Sequence, residues 1–196
     1  MKMVKISKKI IIITSFVSVA LLAGIIAISG MILSTKYNKA LHYWDSGHKA
    51  RAVVQFSEIS FYRDSNRYIS EYEGDVVNAL RDCTWTSGEI SYRSPVVRHY
   101  TYNVTFRRDG EFTIHTSGQQ EGFQYYSMNI DHLYRFDYDS GEPLLAIYTD
   151  DDHYDAPFEY YSFDYDEEDE TISRIRMLSH NDGSRRDTIV LHPTTD

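Results

Sequence analysis

The rhythm of hydrophobic and polar positions changes twice along this chain. From Ile10 to Thr35 the sequence reads IIIITSFVSVALLAGIIAISGMILST, twenty-six residues without Asp, Glu, Lys, Arg or His. As a helix rising about 1.5 Å per residue it is roughly 39 Å long, more than the ~30 Å hydrocarbon core of a bilayer requires. Between 36 and 80 apolar positions recur at helical spacing, first Ala40, Leu41 and Trp44, then Ala52, Val53, Phe56 and Ile59. Ser46-Gly47 separates these two helices, with Gly47 suited to a helix C-terminus. Asp64-Ser65 offers an N-cap for a third, whose apolar positions are Ile69, Tyr72, Val76, Val77 and Leu80 and whose weak point is Gly74.

From Asp82 the period becomes two. Tyr100, Tyr102, Val104 and Phe106 fall on one face, Thr101, Asn103 and Thr105 on the other, as in a half-buried strand. Arg108-Asp109-Gly110 predicts a hairpin turn and Phe112 and Ile114 the returning strand. Further strands are expected over 84–93, 123–130, 133–138, 144–149, 158–165, 171–178 and 188–191, divided by polar turns at 139–143, 166–170 and 181–184. The expected fold is an N-terminal transmembrane helix, a short helical hairpin or spacer, then an all-β antiparallel meander of eight or nine strands, closed as a barrel or packed as a sandwich.

Two segments resemble known families. Ala40, Asp45-Ser46-Gly47, Ala52-Val53, Phe56, Ile59 and Tyr62-Arg63-Asp64-Ser65 resemble a degenerate tetratricopeptide-type hairpin of the form common in bacterial membrane proteins, with Lys49 where that pattern has an aromatic residue. One unit cannot build the continuous core of a solenoid, so the resemblance implies a spacer or a packing hairpin and not a peptide-binding groove. Leu80, Trp85 and Gly88, with Phe106, Asp109-Gly110 and Phe112, resemble small bacterial lipocalin-like domains. That resemblance implies an up-and-down barrel and a possible internal cavity.

Charge separates along the same divisions. Lys2, Lys5, Lys8 and Lys9 precede the apolar segment, leaving 16 of the 20 basic residues after it against all 29 acidic ones, a net charge near −13. Basic residues stay on the cytoplasmic side, so the expected order is a cytoplasmic stub at 1–9, a membrane helix at 10–35, a helical spacer at 36–80 and an extracytoplasmic domain at 82–196. A cleaved signal peptide is the competing reading, with a poor cleavage site at Ala27-Ile28-Ser29, but its apolar core would be too long. A lipoprotein signal fails because Cys83 is the sole cysteine. An acidic external part argues against nucleic acid as a partner.

Candidate chemistry is sparse. Asp137 and Asp139 before Gly141, and Asp150 and Asp152, are weak calcium candidates, though such clusters are more simply solvated hairpin tips. None of the eight histidines forms a helical ligand pair, and Cys83 lacks an identifiable base. No cofactor and no catalytic residue is expected. Trp85, Tyr125, Tyr126, Tyr160 and Tyr161 are weak candidates for a ligand or partner surface, since tyrosine supplies contact area at low entropic cost. The expected function is that of a non-enzymatic, bilayer-anchored protein that binds an envelope partner. The alternatives are a carrier of a small apolar ligand and an envelope enzyme whose site only the fold assembles.

Overall fold

A computed structural model describes residues 8–93, 97–107, 110–120, 123–149, 157, 159–178 and 189–194, with side chains described throughout except at 8–17, 19, 91–93, 97–98, 120, 123–126 and 149. Helix α1, Lys8–Asp45, is a single rod of 38 residues. The expected boundary at 35/36 is therefore not a break. Neither Gly nor Pro falls between Thr35 and Asp45, so nothing in the backbone stops the membrane-type helix from continuing into the hairpin. Leu21, Leu22, Ile25, Ile26, Ile28, Met31 and Ile32 are each more than half exposed, and among the described residues this is the one helix long and apolar enough to cross a membrane.

The rod ends where Gly47 takes φ +78°. His48 N–H reaches Tyr43 O at 2.9 Å and Gly47 N–H reaches Trp44 O at 3.1 Å, the two bonds of a Schellman motif. Helix α2, Lys49–Ser57, then runs back along α1, so that Glu58 meets Lys36 at 2.5 Å. Ala40 and Ala52 are fully buried at the crossing and let the backbones approach, with Tyr37, Phe56, Ile59 and Tyr68 closing the cluster. Helix α3, Ser65–Arg81, turns forward again and buries Tyr68, Tyr72, Val76 and Leu80 at i, i+4 spacing. Asp64 precedes it but does not cap it with its side chain. Its carboxylate instead accepts the Tyr37 hydroxyl, which holds Asp64 below its usual pKa.

Among the described residues nine antiparallel strands follow: β1 Trp85–Thr86, β2 Ile90–Arg93, β3 Val97–Phe106, β4 Glu111–Gln120, β5 Phe123–Asp137, β6 Leu144–Thr149, β7 Glu159–Asp166, β8 Thr171–Leu178 and β9 Ile189–Pro193. From β2 onward consecutive strands pair, and β1 pairs with both β3 (Trp85 with Val104) and β9 (Trp85 with Pro193), which closes an eight-stranded barrel. β2 continues along β3 beyond β1. The strand expected over 84–93 is thus two pieces, divided where Gly88 takes φ +64°. Conversely, the strands expected at 123–130 and 133–138 are one, β5. Its first part pairs with β4 and its last part with β6. Asp131-His132 reads as an interruption but keeps the alternation, with Asp131 exposed and His132 buried. At the β3–β4 turn Gly110 takes φ +81°, and a Cβ there would lie 3.2 Å from Tyr134 O, so both backbone conformation and space favour glycine.

The helices share the barrel's core. Val53, Tyr72, Val76 and Leu80 belong to the same buried cluster as Trp85, Phe112, Tyr134, Tyr161 and Leu191. The Trp85 indole N–H donates to Leu80 O at 2.8 Å across the joint between α3 and β1. Of the expected spacer or packing hairpin, residues 36–80 thus form the packed one. The acidic β7–β8 turn is also tied to the helices. Its Glu167 accepts the backbone N–H groups of Lys49 (2.6 Å) and Ala50 (2.7 Å), capping α2 from the barrel.

Candidate functional site

Polar groups gather at two places, the seam between helices and barrel and the barrel's interior. At the seam, α2 and the β5–β6 turn enclose a groove of about 490 Å³ lined by Val54, Glu58, Phe136, Tyr138 and Asp139. A second, of about 550 Å³, lies between α3 and β5 and is lined by Glu73, Val77, Tyr134 and Phe136. Phe136 borders both, and its ring stacks on Tyr138 at 6.5 Å. The Tyr138 hydroxyl donates to Glu73 at 2.8 Å, tying one groove's lining to the other's. Burial pushes the Glu73 carboxyl up, and the Tyr138 hydroxyl pulls it partly back.

Inside the barrel, strand parity puts Glu159 and Tyr161 on the inner face of β7. Tyr161 pairs with Leu145 and Met177, and Glu159 with Ile147. Tyr161 is fully buried, its ring 5.9 Å from Phe112. The Glu159 carboxyl lies close enough for its charge to be felt there. Burial drives the Tyr161 hydroxyl well above its ordinary pKa, and the neighbouring carboxylate adds to that. Burial likewise pushes Glu159 up to about 7, against the Tyr161 hydroxyl, which favours the carboxylate. His132 stands inward opposite Phe112, and burial lowers its pKa, while Asp131 and the backbone at Tyr148 act the other way. A carboxyl that titrates near neutrality beside a buried phenol can hold or release a proton and hydrogen-bond a polar guest. Among the described residues no group of three His, Cys, Asp or Glu side chains is placed to hold a metal ion.

The sequence-based candidates scatter. Trp85 is fully buried with its indole N–H satisfied, so it is a core residue and presents nothing to a partner surface. Tyr161 is likewise interior, whereas Tyr160 faces outward and is half-buried. The side chains of Tyr125 and Tyr126 lie outside the described residues, as do Asp150 and Asp152. Asp137 accepts the Asp139 N–H at 2.8 Å, a local turn bond. Periodicity does not single out Glu159, Glu73, Tyr138 or Glu167. Parity with Tyr161 is the one signal available for Glu159; the other three depend on contacts far apart in the chain. No protein-family model, curated protein or solved structure matches this chain.

Proposed function

We propose that this chain is a single-pass membrane protein that holds its barrel outside the cytoplasm as a non-catalytic interaction module for an envelope protein. The observation that carries this reading is the single rod of α1. From Ala20 to Ile32 its apolar side chains are exposed on every side of the helix, and it continues without a break into a hairpin packed on the barrel. Such a helix gains by entering lipid, and the barrel then stands at a fixed height above the membrane instead of on a loose tether. Orientation follows from the four lysines before the apolar segment and the acidic excess after it. The tetratricopeptide-like hairpin and the lipocalin-like barrel are part of this proposal as descriptions of form.

Tyr160 is the outward candidate that the described surface retains. A photo-cross-linking residue at Tyr160, in the full chain in intact membranes, is expected to give one discrete adduct containing a second polypeptide. Absence of any adduct there, with the protein present and folded, would count against the reading. The carrier alternative draws its support from the Glu159–Tyr161 pair, which would suit a ligand with a polar head. The aromatic side chains that fill the interior beside α3 weigh against a large apolar guest. Native mass spectrometry of the purified full chain tests it: a retained small molecule lost in Glu159→Gln supports a carrier, and a ligand-free mass opposes it.

A further inference from the structure

The strongest unexplained feature is one exposed ring on the helical bundle. Phe61, in the turn between α2 and α3, is 76% exposed, more than any other large apolar side chain among the described residues. It is not on a slack loop. Ile59 N–H bonds Phe56 O at 3.0 Å, Tyr62 N–H bonds Ile59 O at 2.8 Å, and Asp64 accepts the Tyr37 hydroxyl. Arg63 sits at φ +52°, a conformation uncommon outside glycine, with its guanidinium 4.9 Å from the Tyr37 ring centre and 5.2 Å from that of Tyr62. The turn is thus fixed while Phe61 is held out.

Its level on α1 can be read from contacts. Glu58 meets Lys36, the first charge after the apolar segment, and Leu33, in that segment's last turn, packs on the cluster that also receives Tyr62. The turn therefore stands beside the end of the apolar segment, where Ile32 is still 54% exposed. Charge reverses here as well. Residues 36–39 and 58–67 hold Lys36, Lys39, Arg63 and Arg67 against Glu58 and Asp64, a net +2, whereas the rest of 36–80 is net −2 and the chain beyond it strongly acidic.

We infer that the α2–α3 turn is a second membrane contact, with Phe61 entering the boundary between lipid headgroups and acyl chains and the flanking Lys and Arg side chains facing the lipid phosphates. The inference rests on α1 crossing the bilayer, as proposed above. Aromatic rings and basic side chains are the groups that favour this interfacial layer. Two contacts, one spanning and one lateral, would fix the tilt of the helical bundle and so the direction in which the barrel faces.

The test places an environment-sensitive fluorophore on one cysteine at a time, in a Cys83→Ser background, in the full chain in phosphatidylcholine–phosphatidylglycerol nanodiscs. The labelled variants are Met31→Cys in the apolar segment, Phe61→Cys in the turn and Asp169→Cys in the β7–β8 turn, which sits at the opposite end of α2. Brominated lipid is expected to quench the labels at 31 and 61 and to leave that at 169 bright. If the label at 31 is quenched while that at 61 stays as bright as that at 169, the turn contact is overturned and the anchor stands. If the label at 31 is itself unquenched, the anchor reading falls and this inference with it.

Discussion

Glu159 shows how much a single inward side chain changes the expected behaviour of the barrel. Its folded pKa, about 7, lies above its ordinary 4.5, so the folded state holds the proton more tightly than the unfolded chain does. The resulting stability is fully present below about pH 4.5 and lost as pH rises through about 7. Denaturant midpoints should therefore fall from about pH 5 to about pH 8, and Glu159→Gln should remove most of that slope. His132, whose pKa is lowered, contributes the opposite trend in acid, but equally in both proteins, so the difference between them isolates Glu159. Gly74 offers a simpler case. It lies inside α3 with no atom within 4 Å of an added Cβ. Gly74→Ala should stabilise the protein by about 0.5–1 kcal/mol, read as a higher denaturant midpoint. Both residues show where a sequence stops being informative. Gly74 is visible as a weak point in a helix from its type alone. Glu159 stands beside Tyr160-Tyr161, whose opposite facing is legible, but a carboxylate on the inner face runs against the rule that strands bury apolar residues. Only the closed sheet shows that it is enclosed.

Elements are legible in proportion to how locally they are determined. α3 ends and β8 falls where helical and alternating patterns put them, because amphipathic periodicity and Gly, Asp and Asn turns act within a few residues. β5 is not legible as one strand. Whether Asp131-His132 ends a strand depends on β4 and β6 pairing across it. The cap on α2 is hidden for the same reason, since Glu167 lies more than a hundred residues from Lys49 in sequence. Removing it leaves two helix-terminal N–H groups without their acceptor. Glu167→Ala should cost about 1 kcal/mol, with faster amide exchange at Ala50, while Glu167→Gln, which keeps one acceptor oxygen, should cost less. If Ala50 exchanges at the same rate in Glu167→Ala, the cap is not holding α2.

At the scale of the molecule, helices and barrel should unfold together, because α3 supplies Tyr72, Val76 and Leu80 to the barrel's own core. Leu80 is fully buried, so Leu80→Ala should cost about 2–5 kcal/mol. Circular dichroism and tryptophan fluorescence should shift to the same new midpoint, whereas separate transitions would indicate an independent helical unit. In the proposed arrangement, the continuity of α1 into that core joins a membrane-crossing helix to a barrel held outside the cytoplasm. The decisive measurement is cysteine labelling of intact cells with a membrane-impermeant maleimide, in the full chain with Cys83→Ser. Cysteine at Ser140 should label before permeabilisation and cysteine at Lys5 only after it. Labelling in the reverse order, or of both positions only after permeabilisation, would contradict that topology.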